Sequence, residues 1–337
     1  MNLLQRTLLL SFTLLLIASA PWQPATISTR AQPVASGRIL AASRGQVAWL
    51  DLLAPRPTPL TQLVRPAYPA DVAAASSVSF AVASVVSASP SGGMGGDLVL
   101  VDLLSAASRT LLARQSDAES LDLPALWPDG SGIVYQRSNL RAAEPMPGQA
   151  TPQYQSRIEQ ISPDGVKAVV LLDNARHPGP APDGDHLAFI RSTERGAGIY
   201  SHSLQDGSDA ELVAPGQFLA LAYPRFSPDG KQVAFAAISL LAPLGRSPVF
   251  FSWSGFLSGE AMAHGFPWEV WLVQADGTGL RQISDILDDD PSVAWSPDGA
   301  RLLVYGGWGS YLVDVASGDT SSLPYLVGYG SIAWLPD

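Results

Sequence analysis

Leu126-Trp127-Pro128-Asp129-Gly130-Ser131-Gly132-Ile133-Val134-Tyr135-Gln136-Arg137 decides how the chain reads. An apolar pair leads into Pro-Asp-Gly, and an apolar run follows it. Pro128 sets φ for the second position of a turn, Asp129 follows, and Gly130 takes the positive φ that closes a type I turn with a bulge. The run behind the turn reads as a buried strand, so the whole unit is a β-hairpin. The unit recurs as APDGDHLAFIR from Ala181, FSPDGKQVAFAA from Phe226 and WSPDGARLLVYGG from Trp295. Recurrence of one supersecondary unit along most of a chain is the mark of a repeat architecture.

A second hairpin class follows each of these, with an apolar strand, a turn and a more polar strand. Six stretches fit: Val47 to Leu63, Leu98 to Ala113, Ile158 to Leu172, Ile199 to Val213, Val270 to Ile283 and Tyr311 to Tyr325. Six second hairpins predict six four-stranded blades, although the first hairpin of the second blade, Ala74 to Val86, lacks Pro-Asp-Gly. The first blade lacks its innermost strand, while Ser331-Ile332-Ala333-Trp334-Leu335-Pro336-Asp337 copies that strand and stops at the Asp of the turn. Gly37-Arg38-Ile39-Leu40 resumes where the tail breaks off. The expected fold is therefore all-β: a six-bladed β-propeller of four-stranded antiparallel blades over residues 32–337, with the C-terminal strand paired to the N-terminal blade and Asp337 beside Gly37. Such closure removes exposed sheet edges.

Composition agrees with many short strands. The 337 residues hold 28 Pro and 30 Gly, with 47% hydrophobic and only 15% charged residues, which suits a turn-rich, core-rich chain. The net charge of −10, with no cluster of Arg, argues against a nucleic-acid surface. Absence of Cys removes disulfides, thiolate metal sites, thiol nucleophiles and a lipidated cysteine. At the N-terminus, Arg6 and the apolar run Leu8 to Ala20 read as an export signal, so residues 1–31 are a signal peptide or an uncleaved membrane anchor. The expected location is extracytoplasmic, as a periplasmic, secreted or N-terminally anchored protein.

The Pro-Asp-Gly hairpins at Pro128, Pro182, Pro228 and Pro297 resemble the WD-like repeats of the TolB-type propeller family, over residues 36 to 337. That resemblance implies a six-bladed propeller that works through protein contacts, as in the periplasmic family members, or one attached to a prolyl-oligopeptidase-type peptidase. A peptidase would carry a Gly-x-Ser-x-Gly elbow, and Gly255-Phe256-Leu257-Ser258-Gly259 has the wrong spacing for it. A stand-alone propeller is the expectation.

In a four-stranded blade, the turns between first and second and between third and fourth strands share one face. The long insertions at 87–97, 139–157 and 239–269 join second to third strands and so emerge on the opposite face, the expected binding face. The longest carries Phe250, Phe251, Trp253, Phe256, Phe266 and Trp268, too aromatic for a solvated loop. It reads as a plug over the propeller's own top, a patch for a protein or peptide partner, or a membrane-surface contact. Asp285, Asp288, Asp289 and Asp290 lie in a blade-to-blade loop of the same face. Their carboxylates suit Ca2+, although the spacing is not that of an EF-hand and the ordinary role of an acidic loop is solvation. No other cofactor is implied. Asp122, Arg176, His177 and Tyr223 align just before the innermost strands and are candidates to rim the central channel together.

Two functions of different class follow. One is a non-catalytic binding or scaffold propeller, since every recognisable motif is architectural. The other is a propeller enzyme, a lactonase-like metal-dependent hydrolase or a carbohydrate-active enzyme, with carboxylates at the channel mouth. Three or more carboxylate, Asn or His groups converging there would speak for the enzyme, an apolar or plugged mouth for binding.

Overall fold

The computed structural model describes residues 37–43, 45–52, 57–61, 68–88, 93–144, 153–239, 268–284, 286, 288–323 and 326–337. These residues form six four-stranded antiparallel sheets. Blade 1 holds β1 (Arg38–Ser43), β2 (Gln46–Leu50) and β3 (Thr58–Pro59). Blade 2 holds β4 (Tyr68–Ala74), β5 (Phe80–Ala88), β6 (Met94–Asp102) and β7 (Ser108–Leu112). Blade 3 holds β8 (Glu119–Leu126), β9 (Ile133–Glu144), β10 (Gln153–Ile161) and β11 (Ala168–Asp173). Blade 4 holds β12 (Arg176–Pro180), β13 (His186–Thr193), β14 (Gly196–Ser203) and β15 (Asp209–Val213). Blade 5 holds β16 (Phe218–Phe226), β17 (Gln232–Ser239), β18 (Glu269–Gln274) and β19 (Arg281–Gln282). Blade 6 holds β20 (Ser292–Trp295), β21 (Arg301–Tyr305), β22 (Ser310–Asp314) and β23 (Thr320–Ser322).

The last strand, β24 (Ile332–Leu335), completes blade 1 by pairing with β1, Ile39 opposite Trp334 and Ala41 opposite Ile332. Gly37 N–H then donates to Asp337 Oδ1 at 3.1 Å, so the Pro-Asp-Gly-like turn is assembled from the two ends of the chain.

The core lies between blades rather than inside one. Strand side chains alternate sides, so each inner strand feeds two neighbouring clusters. Val233 and Phe235 pack toward blade 4 with Ile190 and Ile199, while Ala234 and Ala236 pack toward blade 6 with Leu302 and Val304. Leu303 and Tyr305 likewise turn away to meet Ile39 and Trp334 of blade 1. Burial on both faces explains why these strands read as continuous apolar runs instead of alternating ones.

The turns follow their residues. In the first hairpin of blade 6, Ser296 Oγ donates to Asp298 Oδ1 at 2.6 Å, Ala300 N donates to the same oxygen at 3.0 Å, and Gly299 takes a φ of 71°. A fifth Pro-Asp-Gly, Pro163-Asp164-Gly165, joins β10 to β11, so the tripeptide serves both hairpin classes. Blade 2 closes its first hairpin over residues 75–79, and its strands begin earlier and end later than Ala74 to Val86.

Two expected loops are mostly strand. β5 and β6 stay paired out to Ala88 opposite Met94, and β9 and β10 out to Glu144 opposite Gln153. Extending the ladder satisfies backbone groups that a loop would leave to water. The third insertion lies between Ser239 and Trp268, outside the described residues.

Candidate functional site

Four inner strands bend at a left-handed residue that lies within the strand or just before it. Leu123, His177, Tyr223 and Asp290 all take positive φ, between 46° and 54°. Each is followed by proline: Pro124, Pro178, Pro224 and Pro291. Proline lacks the N–H for the ladder and bars the preceding residue from the right-handed helical region, so the pairing shifts register there. In blades 3, 4 and 5 the shift falls between Asp122 and Ala125, Arg176 and Gly179, and Ala222 and Arg225. The bend releases the backbone N–H of the left-handed residue from the ladder, and a side chain of the preceding blade accepts it.

Asp71 accepts from Leu123 N at 3.3 Å. Gln136 Oε1 accepts from His177 N at 3.1 Å, and His177 Nδ1 accepts from Tyr223 N at 3.2 Å. Asp71 also accepts from Ser331 N at 2.8 Å, so one carboxylate ties blades 1, 2 and 3 together across the closure. In blade 1 the bend is made by Gly330, with φ 96°, where an added Cβ would collide with the Ala70 carbonyl.

The sequence alignment placed Asp122, Arg176, His177 and Tyr223 just before the inner strands. The structure puts them within those strands at the bend, in two classes offset by one residue. Asp122 and Arg176 precede the left-handed position, while His177 and Tyr223 occupy it. The His177 and Tyr223 rings meet edge to face with centroids 5.1 Å apart. Acceptance by Nδ1 leaves the ring proton on Nε2, and burial, helped by the charges of Arg176 and Arg225, holds the imidazole well below its usual pKa. His177 is thus a neutral bracket between blades 4 and 5.

Charges of both signs are buried around the bends. Arg176 donates to Ser192 Oγ at 2.7 Å, and burial pushes its guanidinium down to about 10. Arg225 donates to the carbonyls of Pro178 and Pro224 at 2.9 and 3.0 Å. The charges of Asp71, Asp122 and Asp290 all act on Tyr223 and, with burial as the larger cause, raise its pKa. Burial pushes Asp122 up to about 6, opposed by the Ser120 hydroxyl at 2.5 Å and reinforced by the charge of Asp71. Asp71 is raised by burial as well, against the lowering pull of its backbone donors. Asp71 and Arg225 were missed from the sequence because neither sits in a shared motif. The recurring Xaa-Pro at the bend was the signal that would have set the register.

Above this channel opens a cavity of about 410 Å3, lined by Ser43, Asp71, Tyr223, Tyr305, Tyr329 and Gly330 among others. It lies on the face of the blade-to-blade and second-to-third loops, the face the sequence singled out. Tyr305 OH donates to Ala42 O at 3.1 Å and braces blade 6 against blade 1. The rim is apolar and open: Val327 and Tyr329 line it at 49% and 47% exposed, and Trp308, 45% exposed, stands in the neighbouring turn. Gly307 lies against the Tyr329 ring, and Gly328 N donates to Gly306 O at 3.0 Å, so the Trp308 turn and the Val327 to Gly330 loop stand side by side.

The acidic run is divided among separate tasks. Asp288 is fully buried, and its Oδ1 accepts from Asp289 N and Trp308 N at 2.7 and 2.9 Å. Asp289 Oδ2 accepts from Tyr329 OH at 3.0 Å, and Asp290 makes the bend in blade 6. Asp285 lies outside the described residues. Among the described residues no group of three or more His, Asp or Glu side chains is arranged to hold a metal ion. Phe250, Phe251, Trp253, Phe256 and Phe266 also lie outside the described residues. Trp268 is described and buried, bridging to Asp288 and packed in the cluster between blades 5 and 6, so it belongs to the core and not to an exposed patch.

No family model matches the chain, and no curated protein matches it. Among solved structures it is similar to TolB from Acinetobacter baumannii, at 16% identity and a TM-score of 0.63, over 90% of this chain and 68% of that one. A putative TolB from Agrobacterium tumefaciens aligns at 15% identity and a TM-score of 0.56, over 86% of this chain and 89% of that one. A chain of a nidogen/laminin complex aligns at 14% identity and a TM-score of 0.58, over 88% and 97%. The shared property at these identities is the propeller fold, common to TolB and to other propellers.

Proposed function

We propose that the chain is an extracytoplasmic binding propeller, holding a protein or peptide partner on the face that carries the cavity. The observation that carries this reading is the pair Val327 and Tyr329, large side chains left half open where they line a walled hollow, with half-exposed Trp308 in the turn packed beside them. Aromatic anchors beside a pocket are what protein interfaces use to gain affinity. The same fold in the nidogen/laminin chain occurs in a protein–protein complex. Export rests on the apolar run Leu8 to Ala20, and among the described residues no helix is long and apolar enough to cross a membrane.

The test is a Trp308→Ala, Tyr329→Ala double variant. Its unfolding temperature should fall only slightly, since both side chains are half open to solvent and only the Tyr329–Asp289 hydrogen bond and the ring contact with Gly307 are removed. A partner captured from the native envelope or medium should be lost. Truncating such anchors costs about 1–2 kcal/mol each, or roughly 30-fold or more together. Capture at undiminished affinity would overturn the assignment.

One observation favours the enzyme reading: the carboxylates of Asp71, Asp122 and Asp290 all bear on Tyr223 in the channel. Both oxygens of Asp71 accept backbone N–H groups, and Asp122 is held by Ser120. Asp71 therefore acts first as an inter-blade tie, while Asp122 is held within its own strand. Hydrolysis of a lactone or glycoside panel by the parent, abolished by Asp122→Asn, would establish catalysis instead.

A further inference from the structure

The outermost strand of a blade presents a row of backbone N–H and C=O groups with no strand beyond it, an open template for pairing. Most outer strands here are protected. β3 and β19 are two residues long and β23 is three, while β7 carries Arg109 and β15 carries Asp209 and Glu211. β11 is the exception. It is six residues long, reads Ala168-Val169-Val170-Leu171-Leu172-Asp173, and exposes 39% of Val169 and 49% of Val170, with Val166 just before it 80% exposed.

Its two ends carry unlike charges. Lys167 precedes the strand and Asp173 closes it, both exposed. Beneath it, β10 is firmly held: buried Glu159 accepts from Arg137 Nε at 3.0 Å and Arg157 Nε at 2.6 Å, and Arg137 Nη1 reaches Glu119 at 2.9 Å. Glu159 is paired with Val170 across the ladder, so the exposed edge rests on a fixed strand.

We propose that β11 pairs antiparallel with β11 of a second copy of this chain, centred on Val170, joining two propellers through one eight-stranded sheet. In that register Val170 faces its own counterpart, Val169 faces Leu171, Ala168 faces Leu172, and Lys167 faces Asp173. The two-fold axis repeats each of the last three. Parallel pairing would set like charges opposite each other, so the charge pattern selects the antiparallel arrangement. A bulge on the β10 side leaves Leu171 outside that ladder and limits the length of regular edge. The contact is smaller than the roughly 1,600 Å2 of a standard interface, so dimerisation is weak and concentration-dependent.

Light scattering on the full-length chain from about 5 to about 200 μM should show a monomer–dimer equilibrium in this range. Lys167→Asp and Asp173→Lys should each weaken it about tenfold, and the double exchange K167D/D173K should restore it. All three variants should unfold like the parent, because neither side chain is buried. As the chain contains no Cys, Val170→Cys gives a clean second readout. Mild oxidation should cross-link it as a dimer, whereas Leu104→Cys, 88% exposed in the outer turn of blade 2, should stay monomeric. A monomer at every concentration overturns the proposal. So does a dimer indifferent to the charge variants, or one that leaves Cys at position 170 uncross-linked.

Discussion

Asp122 shows what a propeller channel does to an ionisable side chain. Burial raises its pKa from 3.8 to about 6, and Asp71 shifts in the same direction. Between those values the native state keeps a proton that the unfolded chain releases, so stability falls as pH rises through the window. Asp122→Asn, which retains an acceptor for Ser120, should therefore raise stability at pH 7 by on the order of 1–3 kcal/mol and flatten the pH dependence between about 4 and 6. Equal stability and an unchanged slope in urea titrations would show that the carboxylate is solvated. At this scale the sequence was half legible. The bend residues His177 and Tyr223 were found by alignment, but their offset from Asp122 and Arg176 was not, because a register shift moves partners without changing spacing. Asp71 had no motif at all, and only the fold brings Leu123 and Ser331 to it.

Among the elements, the Pro-Asp-Gly hairpins behave as their residues require. Gly299 sits at φ 71° with no close neighbour that a methyl group would strike, so Gly299→Ala isolates the backbone cost. A loss of about 1–2 kcal/mol is expected in denaturant unfolding; no loss would mean that the turn relaxes to another type. The insertions were less legible. The segments at 87–97 and 139–157 lack the dense apolar pattern of core strands, yet much of each continues the ladder, because pairing satisfies the backbone whatever the side chains are. Trp268 reads as part of an aromatic loop in sequence and as core in structure, because a two-hydrogen-bond bridge to Asp288 draws it between blades.

The ring as a whole depends on its last strand. Without β24, β1 would lose its inner neighbour, Asp71 its strongest backbone donor, and the cluster between blades 6 and 1 would lose Ile332 and Trp334. A chain truncated after Gly330 should lose its sharp thermal transition or melt more than about 10 °C lower, and early proteolysis in blade 1 should accompany it. A truncated chain that melts like the parent would show that the closure is dispensable. Blade number, hairpin order, ring closure and the identity of the two faces were determined by sequence alone, because turns and strand alternation are local properties that repeat with the unit. Which side chains meet over the channel was decided only by the tertiary structure. Ser331 and Asp71 lie 260 residues apart, and Tyr329 and Asp289 lie 40 apart. Several blades bring bend residues together, and no spacing along the chain encodes how those contributions converge.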